Sequence, residues 1–150
     1  MKIAIKHTLF TLTFTLFLGF AICGFARDKE ELEHEFNTKG ITATMTGIAA
    51  EINQELPIKI NKSTILRRWS YIERNRTMYI LYATDKDPAA YTKEEISSYR
   101  QFLRQFDADK ACKNFLYRIP MEKGVTYNHS YEYTTGEFQM SYTIDINNCQ

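Results

Sequence analysis

The chain of 150 residues is short of the residues that bend, break or bridge a fold, with 3 Pro, 6 Gly, 3 Cys and 1 Trp. So little Pro and Gly leaves no flexible linker between domains, and no segment repeats. Several chemistries lack their local signatures too. There is no glycine-rich phosphate loop, no paired-Cys metal motif, no Ser nucleophile elbow and no kinase signature. Excess charge is also missing: 19 Lys and Arg stand against 18 Asp and Glu, a formal net charge of +1. That balance argues against nucleic acid as a partner. What remains is 44% hydrophobic, 14% aromatic and 25% charged, the composition of one globular domain rather than a disordered tail or a multidomain enzyme.

Charge disappears entirely from Thr8 to Ala26, a segment that holds five of the 10 Phe. Lys2, Lys6 and His7 precede it, an apolar run covers Leu9 to Cys23, and Gly24 and Ala26 stand at −3 and −1 of a cut before Arg27. This is the layout of a secretory signal peptide over residues 1–26. The alternatives are an uncleaved membrane anchor and a lipoprotein acylated at Cys23; either would attach the chain to a membrane. Four Thr weaken the anchor, and the bulky Ile22 weakens the lipoprotein. Cleavage leaves residues 27–150, with 17 basic and 18 acidic residues, a net charge of −1 and all 10 Tyr.

The odd cysteine count resolves with the cut. Cys23 leaves with the segment, and Cys112 and Cys149 remain, enclosing 36 residues. Two Cys in an exported protein suggest one disulfide. The functional alternative, a nucleophilic thiolate at Cys112, needs a basic neighbour to lower its pKa, and only His34 and His129 remain to supply an imidazole.

Along the mature chain, residues 27–40 read as a charged, solvated lead-in ended by Gly40. Met45, Ile48, Ala49, Ile52 and Leu56 then recur at helical spacing up to Pro57. Residues 65–84 read as an antiparallel hairpin turning at Arg74-Asn75-Arg76, with Trp69 and Tyr71 on one face and Arg68, Ser70 and Ile72 on the other. Asp85-Lys86-Asp87-Pro88 breaks it. Thr92-Lys93-Glu94-Glu95 is a capping box that starts a second helix, with Ile96, Tyr99, Leu103 and Phe106 as its stripe. A further apolar set, Ala111 to Ile119, follows, and Pro120 and Gly124 close the helical region. From Val125 the period becomes two: Val125, Tyr127, His129, Tyr131 and Tyr133, a turn at Thr134-Thr135-Gly136, then Phe138, Met140, Tyr142, Ile144 and Ile146. The expected fold is α+β, in the order helix, hairpin, helix, hairpin, with about four antiparallel strands, helices packed on one face, and one disulfide.

Candidate chemistry is sparse. Glu31, His34 and Glu35 share a helical face at metal-ligand spacing, but in a charged segment they read as a solvated face, so no metal and no cofactor is expected. His129 lies on the apolar face of its strand. As a general base it would work with Glu132 or Asp145, yet alternation points both of those the other way. Arg67, Arg68, Arg74 and Arg76, interleaved with Trp69 and Tyr71 and preceded by Lys59 and Lys62, make the first hairpin basic and aromatic. Its bland reading is a charged strand face that protects a sheet edge. Its functional reading is a partner-binding surface for an acidic protein, anionic lipid headgroups or a cell-wall polymer.

Short motifs accompany this layout: Ile52-Asn53-Gln54-Glu55-Leu56-Pro57, Lys62-Ser63-Thr64, a tyrosine-bearing strand at Tyr79 to Tyr82, Cys112 after a helix, Gly124-Val125-Thr126-Tyr127 leading into Tyr131 to Gly136, and Cys149 near the end. In these the chain resembles a family of small exported bacterial proteins without an assigned activity, over most of residues 48–149. It departs at Ile58-Lys59-Ile60-Asn61, where the family often has Met-Met-Val-Asp. The resemblance implies one domain in the bacterial cell envelope with a Cys112 to Cys149 bridge, and it transfers no catalytic residue. The functional expectation is a periplasmic or secreted, non-enzymatic accessory domain that binds an envelope protein. An immunity protein or inhibitor of a toxin or hydrolase, and a small envelope enzyme using His129, are the alternatives.

Overall fold

The computed structural model describes residues 27–149; the expected signal peptide and Cys23 lie outside the described residues. Among those residues no helix is long and apolar enough to cross a membrane. The elements run α1 (Lys29–Gln54), β1 (Ile58–Lys59), β2 (Thr64–Ile72), β3 (Thr77–Thr84), α2 (Lys93–Lys113), α3 (Phe115–Glu122), β4 (Thr126–Tyr133) and β5 (Phe138–Ile144). One five-stranded sheet in the order β1-β2-β3-β4-β5 carries the helices on one face, so the α+β class holds.

The charged lead-in is part of α1 rather than a separate solvated segment. Leu32 and Phe36, one helical turn apart among charges, are buried in the core. Gly40 interrupts α1 at φ 81°, ψ 171°, a region essentially reserved for glycine. There the helix doubles back. Arg27 binds both Glu35 and Glu51, although Arg27 and Glu51 would stand about 36 Å apart on a straight helix.

The sheet differs from expectation in two ways. A short strand, β1, adds to the edge beside Ile65 and Leu66. The central pair, β3 with β4, is parallel, running in register from Thr77↔Thr126 to Thr84↔Tyr133. The reason is the connection: α2 and α3 carry the chain from the end of β3 back to the start of β4, and a crossover of that length permits a parallel neighbour. Asn114 separates the two helices and caps α3 by accepting from the Leu116 N–H.

The tyrosine strands bury one face as their period requires. Tyr127, His129 and Tyr131 of β4 and Met140, Tyr142 and Ile144 of β5 face the helices. A break in the ladder between Tyr131 and Glu132 turns Phe138 outward. Strand β5 stops at Ile144, and a 3-10 turn, Ile146–Cys149, curls the terminus back onto α2. The exposed backbone at the sheet margins is met by side chains from the helices. Asn53 of α1 donates to the Trp69 carbonyl and accepts from the Trp69 N–H (2.7 and 3.0 Å), while Arg104 of α2 donates to the Thr143 carbonyl.

Candidate functional site

The basic hairpin divides between core and surface. Trp69 is buried against Tyr117 and Tyr127, with ring centroids 6.4 and 6.5 Å away, so it belongs to packing and not to a binding surface. Tyr71 is half-buried on the same face and packs against the core. Arg67, Arg68, Arg74 and Arg76 are exposed. The pairing of β2 with β3 slips between Leu66 and Arg68, which makes Arg67 the extra residue of a bulge and keeps Trp69 and Tyr71 facing inward beyond it. Arg76 adopts a left-handed turn conformation (φ 50°) just before β3.

The outer sheet face, away from the helices, carries Ile65, Ile72 and Tyr79 at 37%, 44% and 38% exposure. Arg68 pairs across to Leu81 on this face, and Lys59 to Ile65. None of the four hairpin arginines forms an ion pair with a described residue. On the helical side, by contrast, Lys39, Lys113 and Arg118 each meet an acid at helical spacing. Glu35, one of the three residues at metal-ligand spacing, is occupied by Arg27 and Lys39.

A second polar site lies inside the core. His129 is stacked between Tyr82 and Tyr142, with centroids 5.9 and 5.1 Å away and rings nearly parallel. Its Nδ1 lies 3.2 Å from the Tyr82 hydroxyl. Opposite stands Asp107 of α2, whose Oδ2 accepts a short hydrogen bond from Tyr142 and lies 4.0 Å from His129 Nδ1. The Tyr131 hydroxyl is 3.4 Å from that of Tyr142. The side chains of His129 and Asp107 are only 4% and 2% exposed.

Burial governs their protonation. It pushes the Asp107 carboxyl up to about 6, partly opposed by the Tyr142 hydrogen bond, and pushes the His129 imidazole down to about 3. Burial likewise drives the surrounding tyrosines, Tyr82, Tyr131 and Tyr142, above the usual phenol range. At neutral pH the imidazole is therefore neutral, and its approach to Asp107 is not an ion pair. The companions expected for His129 are elsewhere: Glu132 points to the outer face and Asp145 follows β5, where its carboxylate accepts from the Asn147 N–H.

Apolar spacing alone runs a stripe through Ile96, Tyr99, Leu103 and Phe106 and passes Asp107 by. The buried stripe is Leu103, Asp107, Ala108 and Ala111, whereas Tyr99 is exposed. An acid one turn from Leu103 and one turn from Ala111 is the signal that marks it.

The remaining predicted pair meets. Cys112 of α2 and Cys149 form a disulfide with Cα atoms 5.3 Å apart, which removes the alternative of a free nucleophilic thiolate at Cys112. Such a bond persists in oxidising compartments, consistent with a location outside the cytoplasm.

No protein-family model and no curated protein matches the chain. Among solved structures the fold is similar to a candidate secreted protein of Pseudomonas aeruginosa (TM-score 0.60, 19% identity, 73% of this chain and 93% of that one). It is similar to the pilotin EpsS of the Vibrio vulnificus type 2 secretion system (0.58, 16%, 75% and 94%). It is also similar to the type II secretion pilotin AspS of Vibrio cholerae (0.53, 15%, 74% and 94%). At these identities the likeness is one of fold alone, shared with a candidate secreted protein and with two pilotins of secretion systems.

Proposed function

We propose that this chain is an accessory domain of the bacterial cell envelope, exported by a signal peptide cleaved before Arg27, which works by binding another envelope protein and catalyses no reaction. The observation that carries this reading is the fold shared with two pilotins over nearly their whole length. The interior supports it. The one histidine flanked by acid and phenol groups, His129, is sealed under α2 with its Nδ1 beside Tyr82, and a general base must reach the proton it removes. The disulfide fits the same compartment.

The test is affinity capture of the tagged, exported protein from solubilised envelopes, with His129→Phe as a parallel bait. One specific partner recovered in comparable amounts with both baits is expected. Failure to recover a partner with either bait would sink the reading; loss of the partner from the folded His129→Phe bait alone would return His129 to the functional site. Intact mass of the exported protein gives a separate check: a chain beginning at Arg27 and carrying one disulfide is expected, and a chain that retains residues 1–26 or begins at an acylated Cys23 would refute the cleavage.

A further inference from the structure

From the outer face of the first hairpin we infer that β2 and β3 dock an acidic, amphipathic polypeptide segment of the partner. This inference rests on the binding-protein reading above and names its surface. Ile65, Ile72 and Tyr79 are each more than a third exposed, and Leu81 is half-buried between them. They sit in adjacent positions of two paired strands, where Ile65 faces Ala83, Arg68 faces Leu81 and Ser70 faces Tyr79. The helices lie on the opposite side of the sheet and leave this strip uncovered.

Positive charge surrounds the strip. Lys59 flanks Ile65 from β1, Arg67 and Arg68 interrupt the strip at the bulge, and Arg74 stands on the turn beyond Ile72, whereas the Arg76 guanidinium lies beside Gly124 and Tyr71 and is not part of the strip. None of these cations forms an ion pair with an acid among the described residues. Glu73 accepts from Thr42 of α1, and Glu132 stands two strands away from Ile65, past Ala83.

Unpaired guanidinium groups suit a carboxylate partner. Their planar fork binds carboxylates in two-point contacts, and their weaker hydration makes them the cation of choice at protein interfaces. The apolar centre with a charged rim reproduces the ordinary anatomy of a binding patch. Hydrogen-bonded rigidity is present as well, since Asn75 donates to the Tyr79 hydroxyl (3.1 Å) and holds that ring in place. The complementary ligand alternates or stripes apolar side chains with Asp and Glu. A polypeptide fits better than a lipid surface because the exposed apolar side chains of this hairpin, Ile65, Ile72 and Tyr79, form a narrow strip with cations among them, while the other exposed aromatics, Phe138 of β5 and Tyr99 and Phe102 of α2, stand on other elements.

The experiment places a photoreactive phenylalanine at Tyr79, or at exposed Gln105 of α2 as a control, in the full-length chain exported by its own cells. Irradiation is followed by sequencing of the cross-linked peptide. The expected result is capture at position 79 through a segment rich in Asp and Glu, at least tenfold weakened by Arg68→Glu with Arg74→Glu. The milder pair Arg68→Gln with Arg74→Gln should weaken it about threefold, and an intact disulfide and unchanged melting show that each variant is folded. Capture through a neutral or basic segment, or capture that ignores the folded variants, overturns the inference. Capture at position 105 alone, or at neither position, overturns it, while the binding-protein reading is decided separately by the affinity capture above. Co-sedimentation of the purified protein with phosphatidylglycerol vesicles at physiological salt, lost in the same variants, would assign the surface to lipid headgroups instead of a polypeptide.

Discussion

At the scale of the residue, the most consequential side chain is one that composition hides among 18 acids. Asp107 keeps a carboxyl in the core, with its Oδ1 lacking a hydrogen-bond partner among the described residues. Its pKa rises from 3.8 to about 6 on folding, so its favourable contribution is complete below the unfolded value and is lost as pH rises through about 6. Above that, the folded protein carries a buried carboxylate. At 1.36 kcal/mol per unit the penalty approaches about 3 kcal/mol. Asp107→Asn, which still accepts from Tyr142, should therefore stabilise the protein at pH 7.5 by about 1 to 3 kcal/mol and leave it unchanged at pH 4, measured by urea unfolding. An equal effect at both pH values would show that ionisation is not the cause. His129 runs the opposite way. Its pKa falls on folding from 6.5 to about 3, so stability held above 6.5 is lost as pH falls through about 3. Between roughly pH 6 and 4 the two slopes oppose each other, and below that the histidine dominates. His129→Phe keeps an aromatic ring between Tyr82 and Tyr142, and it should flatten the acid limb while costing about 1 to 3 kcal/mol at pH 7 through the unpartnered Tyr82 hydroxyl. A melting series from pH 7 to 3 checks both parts.

At the scale of the element, local chemistry sets the ends and the neighbours. The capping box at Thr92 and Glu95 is formed, and Asp28 caps α1 by accepting from the Glu31 N–H. Both follow from side chains within a turn of the backbone they satisfy. Asn53 does something that neighbouring sequence does not reveal. Lying on α1, it presents a donor and an acceptor to Trp69, imitating the strand that short β1 fails to provide along this part of β2. Asn53→Ala should cost about 1 to 2 kcal/mol by leaving both backbone groups of Trp69 unmet at a sheet edge. It should also speed amide exchange at Trp69 specifically. Unchanged exchange there, with or without a stability loss, would refute the clamp. The alternation that defines β4 was legible because a strand with one buried face must repeat every two residues. The bulge at Arg67 was not, because an extra residue in one strand is defined only by its partner.

At the scale of the whole molecule, the disulfide links the end of the chain to α2, and with it the last strand to the helix that covers the buried His129 cluster. The bridged positions are 37 apart, and closing a loop of that length restricts the unfolded chain by about 4 kcal/mol. Cys112→Ser with Cys149→Ser should lower the unfolding free energy by about that amount. A loss under 1 kcal/mol in denaturant melts would mean that the packing of the Ile146–Cys149 turn on α2 is sufficient without the bond. The sequence by itself determined the α+β class, the start of α2 at its capping box, the inward tyrosine face of β4 and the pairing of two cysteines. Each of these depends on periodicity, on contacts within a turn, or on elimination within a short list. Only the tertiary structure decided that β3 and β4 run parallel, that α1 doubles back at Gly40, that Trp69 faces the core while its neighbouring arginines remain outside, and that Asp107 meets His129. Those features depend on distances between segments remote in sequence, and periodicity fixes which way a side chain points without fixing what it will meet.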